Sequence, residues 1–176
     1  MPAGNLEPMD AYERYGPALL RKAERMVGNR EDARDILQAL FVDLYQRSDA
    51  TMDLPYLYRA VTNRCLTFLR DEGNRARLLE RHDSALNPAR RTACDDRAIG
   101  LDLLVKLVRE LAPGESEVLA YRYVDDMTQE EIATLLGLSR KTIGNRLDRI
   151  REAVRKIAGP PDEGAPPEPG RPGGAP

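Results

Sequence analysis

TQEEIATLLGLSRKTIGNRLDRIREAVRK, residues 128–156, is the stretch from which the fold can be read. Thr128 can cap a helix, and Glu131, three residues on, can reach back to complete a capping box. Ile132, Ala133 and Leu136 then share one face. Gly137 suits the left-handed residue that ends a helix, Leu138 can pack into the bend, and Ser139 is a good N-cap for the helix that follows. Two short helices joined by a tight glycine turn make a helix-turn-helix. In the second helix Ile143, Leu147, Ile150, Val154 and Ile157 recur every three or four residues as an apolar seam. Lys141, Asn145, Asp148 and Arg149 lie opposite it, with Arg140, Arg146 and Arg151 on its flanks. Cations and amides at the N-terminal end of such a helix suit a DNA major groove. The plainer reading is a solvated face on a two-helix corner.

Outward from this stretch the composition points to an all-α protein. The chain has 176 residues with 5% aromatics and no tryptophan, and shows almost no strand-like alternation, whereas Leu, Ala, Arg and Glu dominate. A net charge of -2 would disfavour nucleic acid if it were evenly spread, but it is not. From Leu138 to Ala158 seven cations face only Asp148 and Glu152; from Leu101 to Gly137 the balance inverts, with Lys106, Arg109 and Arg122 against eight carboxylates. An acidic support therefore presents a basic helix.

The N-terminal half holds three helical patterns. Residues 1–10 lack periodicity and are expected to be disordered. Tyr12, Tyr15, Leu19, Ala23 and Met26 form a stripe that ends at Gly28 and Asn29. REDARDILQALFVDLYQR places Ala33, Ile36, Leu37, Leu40, Phe41 and Leu44 on one face, leaving Arg34, Asp35, Gln38, Asp43 and Gln46 polar. After the break SDATMDL, Pro55 opens a third helix with Leu57, Val61, Cys65 or Leu66, and Leu69 inward, and with a basic outer side. Residues 82–100 mix charges with Pro, Asn and Ser and are expected to be a flexible linker. Residues 101–158 then hold four short helices. The Pro- and Gly-rich residues 159–176 offer no apolar anchor and are expected to be disordered. Two small helical domains, 11–81 and 101–158, are the expected organisation.

Cys65 and Cys94 stand in no metal-ligand spacing, no run is apolar enough for a membrane span, and no signal-peptide pattern precedes the first helix. A soluble protein of the reducing cytoplasm is expected. The lone His82, the absence of a phosphate-binding glycine loop and the absence of a ligand cluster argue against an enzyme and for neither cofactor nor metal.

The DILQALF helix followed by a basic helix, and the C-terminal helix-turn-helix beyond a linker, together resemble the extracytoplasmic-function sigma factors of bacterial RNA polymerase, across about Tyr12 to Ile157. The resemblance implies a region 2 bundle and a region 4 helix-turn-helix, and a factor that binds core polymerase, recognises the minus-10 and minus-35 promoter elements and promotes melting for a specialised regulon. It places Asp35, Gln38 and Asp43 in the contact with the clamp of the largest catalytic subunit, and region 4 on the flap of the second. LPYLYRAVTNRCLTFLR resembles the melting segment, with Asn63 and Arg70 at the family's Asn and Arg positions. Tyr56, Arg59 and Arg64 belong to the same minus-10 surface, and the loop with Asp49 and Met52 matches the place where a flipped base is captured. Ser139, Arg140, Lys141, Thr142, Asn145, Arg146 and Arg149 fall in the minus-35 recognition helix and its cap. An anti-sigma factor is a further implied partner.

Departures from the pattern concern the melting segment: Tyr56 replaces a common Trp, Ala60 a larger aliphatic and Thr67 a frequent Asp. The competing reading is a one-component helix-turn-helix regulator that acts without polymerase. It would bind an operator strongly by itself and usually dimerise, yet the first domain offers no evident ligand pocket or dimer seam.

Overall fold

The computed structural model describes residues 7–47, 52–82 and 96–158, and among these residues every regular element is helical. In order they are α1 (Pro8–Val27), α2 (Arg30–Gln46), α3 (Leu54–His82), α4 (Asp96–Glu110), α5 (Pro113–Tyr123), α6 (Gln129–Leu136) and α7 (Arg140–Ala158). The first helix begins three residues before the expected Ala11, because Pro8 at its first position has the φ a helix start needs. The fourth begins at Asp96, inside the stretch expected to be linker. The Arg, Ala and Ile of DRAIG extend the helix backwards at little cost. Residues 83–95 and 159–176, the rest of the expected linker and the C-terminal tail, lie outside the described residues.

Helix ends follow local chemistry. Gly28, at φ 76°, ends α1 with its N–H bonded to the Glu24 carbonyl, and Asn29 caps α2 by accepting from the Glu31 N–H at 2.8 Å. Asp53, not singled out in the sequence, caps α3 by accepting from the Tyr56 N–H at 2.9 Å. Helices α1 to α3 form one bundle and α4 to α7 a second.

Two apolar clusters hold these bundles. One lies wholly within the first half and joins Leu19, Leu37, Leu40, Phe41, Leu44, Leu57 and Val61. The other runs through both halves, from Met26, Ile36, Cys65, Leu66 and Leu69 to Leu107, Val108, Val118, Tyr121, Ile132, Ile143, Leu147 and Ile150. Each such side chain contributes roughly 1.5–3 kcal/mol when fully buried. The two halves thus share a core instead of standing apart on a tether. Gly73 explains how α3 and α4 come so close: a Cβ there would sit 2.5 Å from Arg109 Cδ and 2.7 Å from Val105 Cγ1. A glycine inside a helix costs about 0.5–1 kcal/mol relative to alanine, and close packing offsets it here.

Candidate nucleic-acid interface

The helix-turn-helix forms atom by atom as its sequence dictates. The Thr128 N–H donates to Glu131 Oε2 at 2.7 Å, and the Glu131 N–H donates to Thr128 Oγ1 at 3.3 Å. These bonds hold the Glu131 carboxyl below its ordinary pKa of 4.5, so the cap stays ionised. Gly137 adopts φ 64°, the Leu138 N–H bonds the Ala133 carbonyl, and Ser139 Oγ accepts from the Thr142 N–H at 3.1 Å. Ile143, Leu147 and Ile150 are buried, which fixes the roll of α7 and turns its opposite side outward.

On that outer side Lys141 and Asn145 are exposed, at the N-terminal end where a recognition helix meets base edges. Their neighbours are held by partners within the same half. Arg140 pairs with Glu130 at 2.7 Å, and Arg149 with Glu115 at 3.1 Å while remaining 72% exposed. Arg146 turns back onto α5, donating to the Gly114 carbonyl at 3.1 Å, so it braces the domain. Ser139 and Thr142 exchange a hydroxyl hydrogen bond of 2.9 Å and serve the cap.

The residues expected at the minus-10 surface separate into three groups. Asn63 and Tyr56 are exposed on α3. Arg59, Arg64 and Arg70 are all engaged: Arg59 Nε with Glu117 Oε1 at 3.3 Å, Arg64 with Asp43, and Arg70 with the Val108 carbonyl at 3.2 Å. Met52 was expected in the base-capturing loop. It is 3% exposed and packs among Leu40, Leu57 and Val61, because an unbranched apolar chain beside the start of α3 gains more from the core than from solvent. Asp49 lies outside the described residues.

Asp35 and Gln38, expected on one docking face, line different grooves. Gln38 borders a groove of about 700 Å³ between α1 and α2, walled by Met9, Tyr12, Phe41, Val42 and Tyr45. Asp35 borders a groove between α2 and α3 with Asn63, Arg64, Phe68 and Asp71. Three residues apart, the two side chains are about 60° apart on the exposed face of α2, and each borders the groove on its own edge of that face. The apolar wall went unnoticed in the sequence, although Val42 and Tyr45 continue the Gln38 side of α2 and are 48% and 76% exposed.

Lys22 was likewise missed. It sits among Leu19, Ala23 and Met26 on the buried stripe of α1, and a lysine there is a visible signal. Its side chain is 1% exposed and pairs with Asp125, itself 2% exposed and 103 residues away. Lys22 Nζ lies 4.0 Å from the ring centre of Tyr58 and 5.3 Å from that of Tyr121. Burial lowers its pKa below 10.5 against the opposing pull of Asp125. Arg25 adds a second bond to Asp125 at 3.1 Å. Asp126, next in the chain, holds φ 54°, a left-handed conformation in which Asp is several-fold enriched. Among the described residues no buried side-chain nitrogen or oxygen lacks a partner.

Comparison with known proteins identifies the family. Residues 11–75 match the model of sigma-70 region 2, and residues 101–154 match that of sigma-70, region 4. The chain is 34% identical over 145 residues to an RNA polymerase sigma-E factor of Streptomyces avermitilis, covering 79% of this chain and 78% of the relative. It is 33% identical to the sigma-E factor of Streptomyces coelicolor with the same coverage. Among solved structures, the sigma factor RpoE crystallised with the anti-sigma factor NepR from Bartonella quintana aligns at TM-score 0.44 and 18% identity, over 85% of this chain and 95% of that one. With regions 2 and 4 matched in order across two helical bundles, the chain belongs to the extracytoplasmic-function group of the sigma-70 family and is an RNA polymerase sigma factor.

Proposed function

We propose that this sigma factor docks on core polymerase chiefly through the α1/α2 groove, with Gln38 at its rim, and reads the minus-35 element with Lys141 and Asn145. The observation that carries the docking assignment is the exposed apolar wall of Met9, Tyr12, Val42 and Tyr45 beside a glutamine. Exposed large apolar side chains gathered in a groove mark an interaction surface. Asp35 and Asp43 lie on the other side of α2, where Asp43 holds Arg64, and contribute less to docking. Asn63, Tyr56 and the arginines of α3 serve the minus-10 element, with phosphate contacts that position DNA without specifying it.

The protein acts in the cytoplasm with no catalysis of its own, supplying recognition to the polymerase that does the chemistry. Among the described residues no helix is long and apolar enough to cross a membrane. Anti-sigma control is part of this reading, on the strength of family membership, and a stoichiometric small partner should co-purify from the native cell. The docking assignment is tested by size-exclusion co-elution with core polymerase. Gln38→Ala and Tyr45→Ala should each weaken the complex, while Asp35→Ala should leave it nearly intact. The reverse ranking would move the docking face to the α2/α3 groove.

A further inference from the structure

Two grooves flank the second half of α7, and their chemistry differs. The first holds Arg149, Lys156, Glu115 and Glu152, which satisfy one another as Arg149–Glu115 at 3.1 Å and Lys156–Glu152 at 2.9 Å. The second, of about 530 Å³ between α4, α5 and α7, is lined by Leu103, Leu104, Leu119, Val154 and Tyr123, the last 54% exposed. Its charged lining is Arg151 and Arg155, with no carboxylate among the lining residues. Both arginines are exposed; Arg151 meets Asp148 at 2.7 Å, and Arg155 makes no salt bridge among the described residues. An apolar groove with an exposed tyrosine and a cationic rim is a surface that fits an acidic, apolar ligand.

We propose that this second groove is the docking site of the chain's own residues 159–176, bound as a polyproline II segment with Pro166 and Pro169 on the apolar lining and Glu163 and Glu168 at the two arginines. The segment leaves α7 at Ala158, three residues beyond Arg155 and seven beyond Arg151. At 1.5 Å per helical residue, Arg151 is about 10 Å back along the helix. Residues 159–165 reach about 22 Å when extended at roughly 3.1 Å each, so the chain can reverse and return along the groove. Gly159 and Gly164 supply the backbone freedom for the reversal. Three residues per turn put Pro166 and Pro169 on one face, the spacing with which proline-rich ligands meet aromatic-lined grooves. Charge selects between the two grooves. The segment carries Asp162, Glu163 and Glu168 against Arg171 alone, which complements a lining that has only cations and adds nothing to one whose charges are already matched. A sequence with no apolar core of its own needs none when the domain it is joined to supplies the surface. Tethering gives it an effective concentration on the order of millimolar, so a weak contact suffices in cis.

The test is paramagnetic relaxation in the full chain, carrying Cys94→Ser and a nitroxide on Ala165→Cys, with isotope-labelled leucine and valine methyl groups; Cys65 is buried and takes no label. The methyl signals of Leu103, Leu104 and Val154 should be lost, those of Leu111 on the first groove should weaken less, and those of Val42 on the α1/α2 groove should persist. Pro166→Gly with Pro169→Gly should restore the lost signals, and so should Glu163→Lys with Glu168→Lys. Adding Arg151→Glu and Arg155→Glu to the second pair should remove them again, because the charges are matched once more. None of the substituted tail positions belongs to α1–α7, so unfolding of the bundles does not mimic these results. A mixture of nitroxide-bearing unlabelled chain with isotope-labelled chain that lacks the nitroxide should show no loss. The proposal is overturned if the Leu103, Leu104 and Val154 signals survive in the nitroxide-bearing chain, or fall no more than those of Leu111 or Val42. It is equally overturned if the tail substitutions leave the loss unchanged, or if the mixture shows the same loss, which would seat a second copy in the groove.

Discussion

Gly137 and Gly144 lie on either side of the start of α7, and the same substitution should act on them with opposite sign. A Cβ at either position meets nothing within 4 Å, so sterics with neighbours drop out. Gly137 holds φ 64°, which an alanine reaches only at a cost, and Gly137→Ala should lose about 1 kcal/mol of stability in urea unfolding. Gly144 sits inside a helix, where alanine should add roughly 0.5–1 kcal/mol. Thr128→Ala should lose about 1 kcal/mol with the cap. Cys65 offers a pH test. Burial pushes its thiol from 9.0 up to about 12, with Lys22 opposing and Asp125 reinforcing. Both folded and unfolded thiols are protonated below pH 9; above it only the unfolded thiol ionises, so stability falls as pH rises toward 12. Comparison of Cys65→Ala with the parent isolates this effect, because the variant should lose less stability between pH 9 and 10.

At the scale of elements, α2 and α7 each carry a face for a partner and a face for the core. The seam of α7 explains why Lys141 and Asn145 point outward while Arg146 and Arg149 are drawn onto α5. Lys141→Ala should lower affinity for a minus-35 duplex and relax specificity there, as for a base-reading contact, whereas a phosphate contact would weaken all duplexes alike and reduce the slope of log affinity against log salt by about one. Arg146→Ala should instead destabilise region 4 by about 1 kcal/mol, through the lost Gly114 hydrogen bond. Thermal unfolding separates the two outcomes. On α2 Arg34, Asp35, Gln38 and Gln46 are exposed and Asp43 is half-buried, and the exposed ones part to two grooves. Helical periodicity tells which residues are outside, while the neighbouring helix decides which groove each of them faces.

At the scale of the molecule, the two halves rest on one shared apolar core. Regions that act on two promoter elements gain from being fixed together by polymerase, since attachment raises the effective concentration of the second region. The energetics separate two roles. The apolar cluster shared by both halves supplies most of the drive, and the Lys22–Asp125 pair, whose desolvation cost roughly cancels its attraction, supplies the geometry.

Much of this was legible in the chain. Thr128, Glu131, Gly137 and Ser139 determine the helix-turn-helix because capping bonds and left-handed turns reach only three or four residues, and the seam from Ile143 to Ile157 repeats with the helix itself. The helical content, the order of two bundles and the family resemblance rest on similarly local patterns. Lys22 gave a signal, a charge on a buried stripe, but no partner could be named for it. Met52 read as a loop residue until the start of α3 and the α2 face enclosed it. The pairing of Lys22 with Asp125, of Arg59 with Glu117 and of Gly73 with Val105 joins residues far apart in sequence, and only tertiary packing decides them. Local hydrogen bonds are written in neighbouring residues, whereas a buried ion pair depends on where two whole bundles come to rest.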